Sequence, residues 1–88
     1  MSDWFVYILQ CADGSFYTGI TTDLARRIQE HNAGPNGARY TRSRRPVSLV
    51  YSEPHEGRSA AASREYAIKQ LPQAAKRELI TDSLTKLQ

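Results

Sequence analysis

WFVYIL, residues Trp4 to Leu9, is followed after Asp13-Gly14 by FYTGIT, residues Phe16 to Thr21, and these two strings decide the fold. The first is an unbroken run of aromatic and branched residues, too short for a buried helix and suited to a strand covered on both faces. It is therefore read as the central strand. The second forms the other arm of an antiparallel hairpin. A three-residue loop with Gly14 in the left-handed conformation is a common hairpin closure, and its odd count puts Tyr7 and Tyr17 on one face. That register sets Tyr7 opposite Gly19 and Tyr17 opposite Leu9, with Gly19 leaving open space above Tyr7.

Beyond the hairpin, Thr22 or Asp23 can cap a helix running to about Asn32 and ended by Gly34 and Pro35. At 100° per residue Leu24 and Ile28 mark its buried side, His31 lies about 40° from the centre of that side and Arg27 about 80°. Arg26, Gln29 and Glu30 take the outward positions. The glycine- and arginine-rich stretch 34–45 reads as a loop, and Val47 to Ser52 as a third strand ending near Pro54. An alanine-rich helix follows from about Ser59, its apolar stripe of Ala61, Ile68 and Leu71 interrupted by Arg64, for which the sequence offers no reason. Pro72 opens a further helix in the first-turn position proline tolerates, reaching about Ile80. The expected architecture is α+β: a three-stranded antiparallel sheet with three helices, order β-β-α-β-α-α. Residues 1–88 are expected to form one domain, with a core at about 4–80 and a fraying tail at about 81–88.

Composition narrows the possibilities. The 88 residues allow one domain with a modest core, and 40% hydrophobic with 24% charged residues describes an ordinary folded protein. No stretch is long and apolar enough for a membrane span, and the N-terminus has no secretory pattern, so the cytoplasm is the expected location. Cys11 is the single cysteine, which excludes an intrachain disulfide and a cysteine zinc site; a small buried hydrophobe is its natural role. The net charge of +3 says little. Its distribution says more: ARYTRSRRP, residues 38–46, holds Arg39, Arg42, Arg44 and Arg45 with no acid, interleaved with Tyr40 and two hydroxyl residues, the composition of a phosphate-gripping loop.

Singly, the candidate chemical residues have ordinary explanations. Tyrosines favour strands, Arg27 and His31 can cover a helix edge, and Glu65 with Lys69 makes a favourably ordered i,i+4 ion pair. His55, in a turn-like sequence, is expected to be a solvent-exposed loop residue and is assigned no role. In order and spacing, however, the set resembles the GIY-YIG nucleases. Phe5-Val6-Tyr7 is similar to the first half-motif, with phenylalanine where glycine often stands, and Tyr17-Thr18-Gly19 to the second. Arg27 and His31 resemble the arginine and histidine of the family's first helix, Tyr40 a further histidine or tyrosine, and Glu65 the metal-binding glutamate. The resemblance covers about Trp4 to Ile80 and matches small stand-alone bacterial members. An asparagine that commonly follows the glutamate has no counterpart, since Asn32 and Asn36 both precede Glu65.

The resemblance implies an endonuclease hydrolysing phosphodiester bonds with one Mg²⁺ or Mn²⁺ on Glu65, with DNA favoured over RNA as substrate, selective for structure or strand with little base preference, and a role in DNA repair or recombination. Arg27 would neutralise charge on the phosphoryl oxygens, and Arg39, Arg42, Arg44, Arg45 and Lys69 would hold the backbone. For the general base the candidates are Tyr7, Tyr17, His31 and Tyr40: a tyrosine, with a pKa near 10, needs a cationic neighbour, whereas histidine titrates near neutrality. A monomer or weak dimer is expected. The competing readings are a nucleic-acid-binding module without catalysis and a protein-interaction domain that keeps the fold.

Overall fold

A computed structural model describes residues 3–86 of the chain, with side chains through residue 84. Strands β1 (Trp4–Gln10) and β2 (Phe16–Thr21) form the hairpin, and β3 (Ser48–His55) pairs antiparallel with the other edge of β1, giving the order β2-β1-β3. The centrality of β1 explains its unbroken apolar run, because Val6, Tyr7, Ile8 and Leu9 are all buried. Hairpin closure matches the expected form: Gly14 N–H donates to Cys11 O and Cys11 N–H to Ser15 O, and Gly14 takes φ +84°. The register then pairs Tyr7 with Gly19 and Leu9 with Tyr17.

Alternation along β1 separates two apolar clusters. Val6 and Ile8 face one way and pack with Ala61 and Ile68 of α3 (Arg58–Lys69) and with Leu79 and Ile80 of α4 (Gln73–Lys86). Tyr7 and Leu9 face the other way, with Cys11, Val47, Tyr17, and Leu24 and Ile28 of α1 (Leu24–Asn32). Asp23 caps α1 by accepting from Arg26 N–H. The sheet is thus sandwiched between α1 on the tyrosine face and α3 with α4 on the other.

The elements depart from the sequence reading in three places, and two side chains have partners it did not supply. Within the expected 34–45 loop, residues Arg39–Arg42 form one helical turn, α2, closed by Thr41 and Arg42 N–H on Ala38 O. Four residues carry no apolar period to read, and tertiary contacts hold the turn in place. β3 runs through Pro54 to His55, which an edge strand tolerates. α4 continues past Ile80 to Lys86, into the expected tail, while residues 87–88 lie outside the described residues. Arg64, the unexplained interruption of the α3 stripe, directs Nε at both carboxylate oxygens of Glu53, at 3.2 and 3.1 Å. The same carboxylate accepts from Tyr51 and meets His55 Nε2, so His55 is a half-buried strand residue and not an exposed loop residue.

Candidate active site

On the α1 side of the sheet the hairpin register brings two tyrosines together. Tyr7 lies along Gly19, whose missing side chain admits its ring: a Cβ there would stand 2.5 Å from the Tyr7 hydroxyl and 2.7 Å from Cζ. The space expected above Tyr7 is therefore filled by Tyr7 itself. From α1, fully buried His31 approaches at 5.8 Å from the Tyr7 ring centre and 5.1 Å from that of Tyr17. Tyr40, carried by α2, stacks on Tyr17 at 6.1 Å, and the Arg44 guanidinium covers the Tyr40 ring at 3.9 Å. Four of the expected residues, Tyr7, Tyr17, His31 and Tyr40, are one aromatic cluster.

Polar contacts run through this cluster in sequence. The Tyr7 hydroxyl lies 2.8 Å from His31 Nε2, His31 Nδ1 lies 2.8 Å from Thr41 Oγ1, and the Thr41 hydroxyl donates to Ala38 O at 3.0 Å. Thr41 is fully buried. Arg27 borders the chain, its Nη1 donating to Glu30 at 3.0 Å and to Asn36 O at 2.7 Å, with its positive charge acting on the Tyr7 phenol. Glu30 is thus no idle outward residue; it bridges Arg26 and Arg27.

These surroundings reverse the titration expected for the two base candidates. Burial pushes the Tyr7 phenol up to about 12, with the neighbouring Arg27 guanidinium working against burial and the charges of Tyr17 and Glu65 working with it. One cationic neighbour does not overcome desolvation. Burial also drives His31 down to about 4, assisted by the positive charge of Arg27 and Arg45. Both side chains are neutral at pH 7, Tyr7 with a proton to give and His31 with a lone pair to receive one.

Glu65 stands apart on α3. Its carboxylate is paired with Lys69 Nζ at 3.3 Å, and its charge still reaches Tyr7. Among the described residues no group of three or more histidine, cysteine, aspartate or glutamate side chains could hold a metal. A single carboxylate whose only partner among the described residues is a half-exposed lysine does fit a hard cation that keeps most of its shell as water and phosphate oxygen.

The basic loop divides by role. Among the described residues the exposed Arg39 has no side-chain partner, and Arg42 reaches only Pro35 O at 3.2 Å. Arg44 bonds Asp13 at 3.0 Å and Tyr40 O at 2.9 Å. Arg45, expected to grip phosphate, donates to His31 O, Gly34 O and Glu30 O at 2.6, 2.8 and 3.5 Å, closing carbonyls at the C-terminal end of α1. Thr41 was invisible as a site residue because only burial distinguishes it from its neighbours. Glu30 had a usable signal, its i,i+3 spacing from Arg27.

The model of the GIY-YIG catalytic domain matches residues 3–78. The chain belongs to the GIY-YIG family. That family is a nuclease superfamily whose members generally depend on a divalent metal. The chain is 66% identical over 80 residues to a UPF0213 protein of Desulfotalea psychrophila, covering 91% of this chain and 73% of that one. A UPF0213 protein of Halobacterium salinarum is 54% identical over 74 residues, covering 84% and 95%. A solution NMR structure of a UPF0213 protein from Bacillus halodurans superposes with a TM-score of 0.57 at 45% identity, covering 89% of this chain and 82% of that one. One of a protein from E. faecalis gives 0.59 at 37%, covering 96% and 93%. No helix among the described residues is long and apolar enough to cross a membrane.

Proposed function

We propose that this GIY-YIG chain is a divalent-metal-dependent endonuclease that hydrolyses phosphodiester bonds in DNA with little base preference, working as a monomer or weak dimer in cytoplasmic DNA repair. The observation carrying this reading is the contact between the Tyr7 hydroxyl and His31 Nε2, 2.8 Å apart beside Arg27. With a phenol held near 12 and an imidazole held near 4, neither residue is a conventional base by itself. Together they form a relay: the attacking water gives a proton to the Tyr7 oxygen as the phenolic proton passes to His31 Nε2, so no free phenolate is required. The new P–O bond forms as the leaving P–O bond breaks, its electron pair going to the leaving oxygen. A phosphate anion on Arg27 offsets one of the charges that hold His31 down, raising its basicity when substrate is bound.

Arg27 is pre-oriented by Glu30 and Asn36 O and leaves its remaining donors for the phosphoryl oxygens. Glu65 would hold Mg²⁺ or Mn²⁺, which would stabilise negative charge on the leaving oxygen. Arg39 and Arg42, with the fewest internal obligations, are the strongest contacts for the DNA backbone, joined by Arg44 and Lys69 if their ion pairs exchange for phosphate. The asparagine that follows the metal glutamate in other members is not replaced by Asn32, whose amide is spent on Val47 at 2.9 and 2.7 Å.

Cleavage of labelled single-stranded, duplex and branched DNA, with RNA alongside, tests the reading in Mg²⁺, Mn²⁺ and EDTA. Metal-dependent cutting by the wild type and its loss in Glu65→Ala are expected. Binding without cutting in every lane would replace the nuclease by a non-catalytic nucleic-acid-binding module.

A further inference from the structure

We propose that Thr41 is a positioning residue that fixes the tautomer of His31, and with it the direction in which the Tyr7 proton can move. The inference rests on the nuclease reading for its purpose, while its geometry stands independently. A carbonyl oxygen only accepts, so the single Thr41 hydroxyl proton, directed at Ala38 O, is committed. What Thr41 Oγ1 offers His31 is therefore a lone pair, and the 2.8 Å contact requires Nδ1 to carry the ring proton. A neutral imidazole has one N–H, so Nε2 is bare and accepts from the Tyr7 hydroxyl. The chain Tyr7 O–H to His31, His31 N–H to Thr41, Thr41 O–H to Ala38 O has one consistent polarity, set at the carbonyl end.

The opposite tautomer would disrupt both ends. Nε2–H would have to donate to the Tyr7 oxygen, blocking the atom that is to receive the proton. Nδ1 would face the Thr41 oxygen with two lone pairs opposed unless Thr41 abandoned Ala38 O. His31 and Thr41 have no exposed surface, leaving water no easy route to repair the mismatch. Of the charged groups around His31, Arg27, Glu30 and Arg45 act on its charged form and do not choose between the neutral tautomers. That choice falls to the two hydrogen-bond partners, of which only Thr41 has a fixed proton.

Two-bond ¹⁵N–¹H correlation spectra of uniformly labelled protein at pH 7 read the tautomer of His31 directly, without substrate. The wild type is expected to give the Nδ1–H pattern and Thr41→Ser to keep it. Thr41→Val, which removes the acceptor at nearly constant volume, is expected to move His31 to the Nε2–H pattern or to a mixture. Its cleavage rate should fall on the order of 100-fold in kcat with KM little changed, and Thr41→Ser should restore it. An Nε2–H pattern in the wild type overturns the proposal even if Thr41→Val fails to fold, as does an unchanged pattern in a folded Thr41→Val. The Nδ1–H pattern in a wild type that cuts no DNA would sink the nuclease reading instead, leaving the tautomer assignment standing.

Discussion

Replacing Gly19 with alanine adds one methyl group where the structure has no room for it. The new Cβ would lie 2.7 Å from Tyr7 Cζ and 2.5 Å from its hydroxyl, against 3.4 Å for ordinary contact, so the ring has to retreat by about 0.7 to 0.9 Å. Tyr7 is not free to do so, being 1% exposed and bonded to His31 at 2.8 Å. Overpacking of this kind costs roughly 1–3 kcal/mol, and leaving buried polar groups unpaired about as much again. Relief of glycine's backbone entropy in a strand returns roughly 0.5–1 kcal/mol, and Gly19 does not take a positive φ that would penalise alanine. Central values leave a net loss of about 3 kcal/mol, which for a domain of this size lowers Tm by at least about 12 °C. Circular dichroism melts of wild type, Gly19→Ala, Tyr7→Phe and the double variant measure it. The methyl should cost less on the Tyr7→Phe background, where the hydrogen bond is already absent. A Gly19→Ala protein melting within about 2 °C of wild type, with undiminished cleavage, would refute the packing argument.

Glu65→Gln is expected to abolish metal-dependent cutting while leaving the melt nearly unchanged, because its Lys69 pair is worth no more than about 0.5 kcal/mol; a large Tm loss would mean a structural role. Stability should rise with pH between about 4 and 6.5: the unfolded chain binds a proton on His31 in that window and the folded chain does not. Denaturation titrations should show about 3 kcal/mol of this dependence, and His31→Gln should remove it. Arg39→Ala and Arg42→Ala should weaken DNA binding and each reduce the salt slope by about one without altering the melt. Arg45→Ala should do the reverse, losing about 1–2 kcal/mol of stability as the α1 carbonyls lose their donor; a pure affinity effect would contradict its assignment as a cap.

What the sequence made legible follows its physical periodicities. Apolar content and turn chemistry placed β1 at the centre and fixed the hairpin register, because a one-residue slip would have turned Tyr7 and Tyr17 to opposite faces. The 3.6-residue period brought His31 inward. Arg64 could not be read, since its partner Glu53 comes within reach only when α3 packs on β3. His55 lies two residues from Glu53, but the two share a strand face only because β3 runs on through Pro54. Neither could the split of the arginine run, in which identical side chains differ only by what backbone lies within reach. The titration of Tyr7 and His31 was misjudged for one reason: a sequence gives the neighbours of a residue but not how completely water is removed from it, and here desolvation exceeds every charge nearby.

The pairing of Asn32 with Val47 has a consequence for how this fold can diversify. Its amide both donates to and accepts from the Val47 backbone, fastening the end of α1 to the entry of β3. Residues 33–46, with Tyr40, Thr41 and all four arginines of the run, therefore hang from a closed base. Once a loop's ends are held, each doubling of its length adds only about 0.6 kcal/mol of closure entropy. Insertions or deletions in this segment that keep Asn36 O on Arg27 and Thr41 on His31 can remodel the surface offered to a substrate while β1, β2 and α1 hold Tyr7 and Arg27, so that recognition can change with little rebuilding of the catalytic groups.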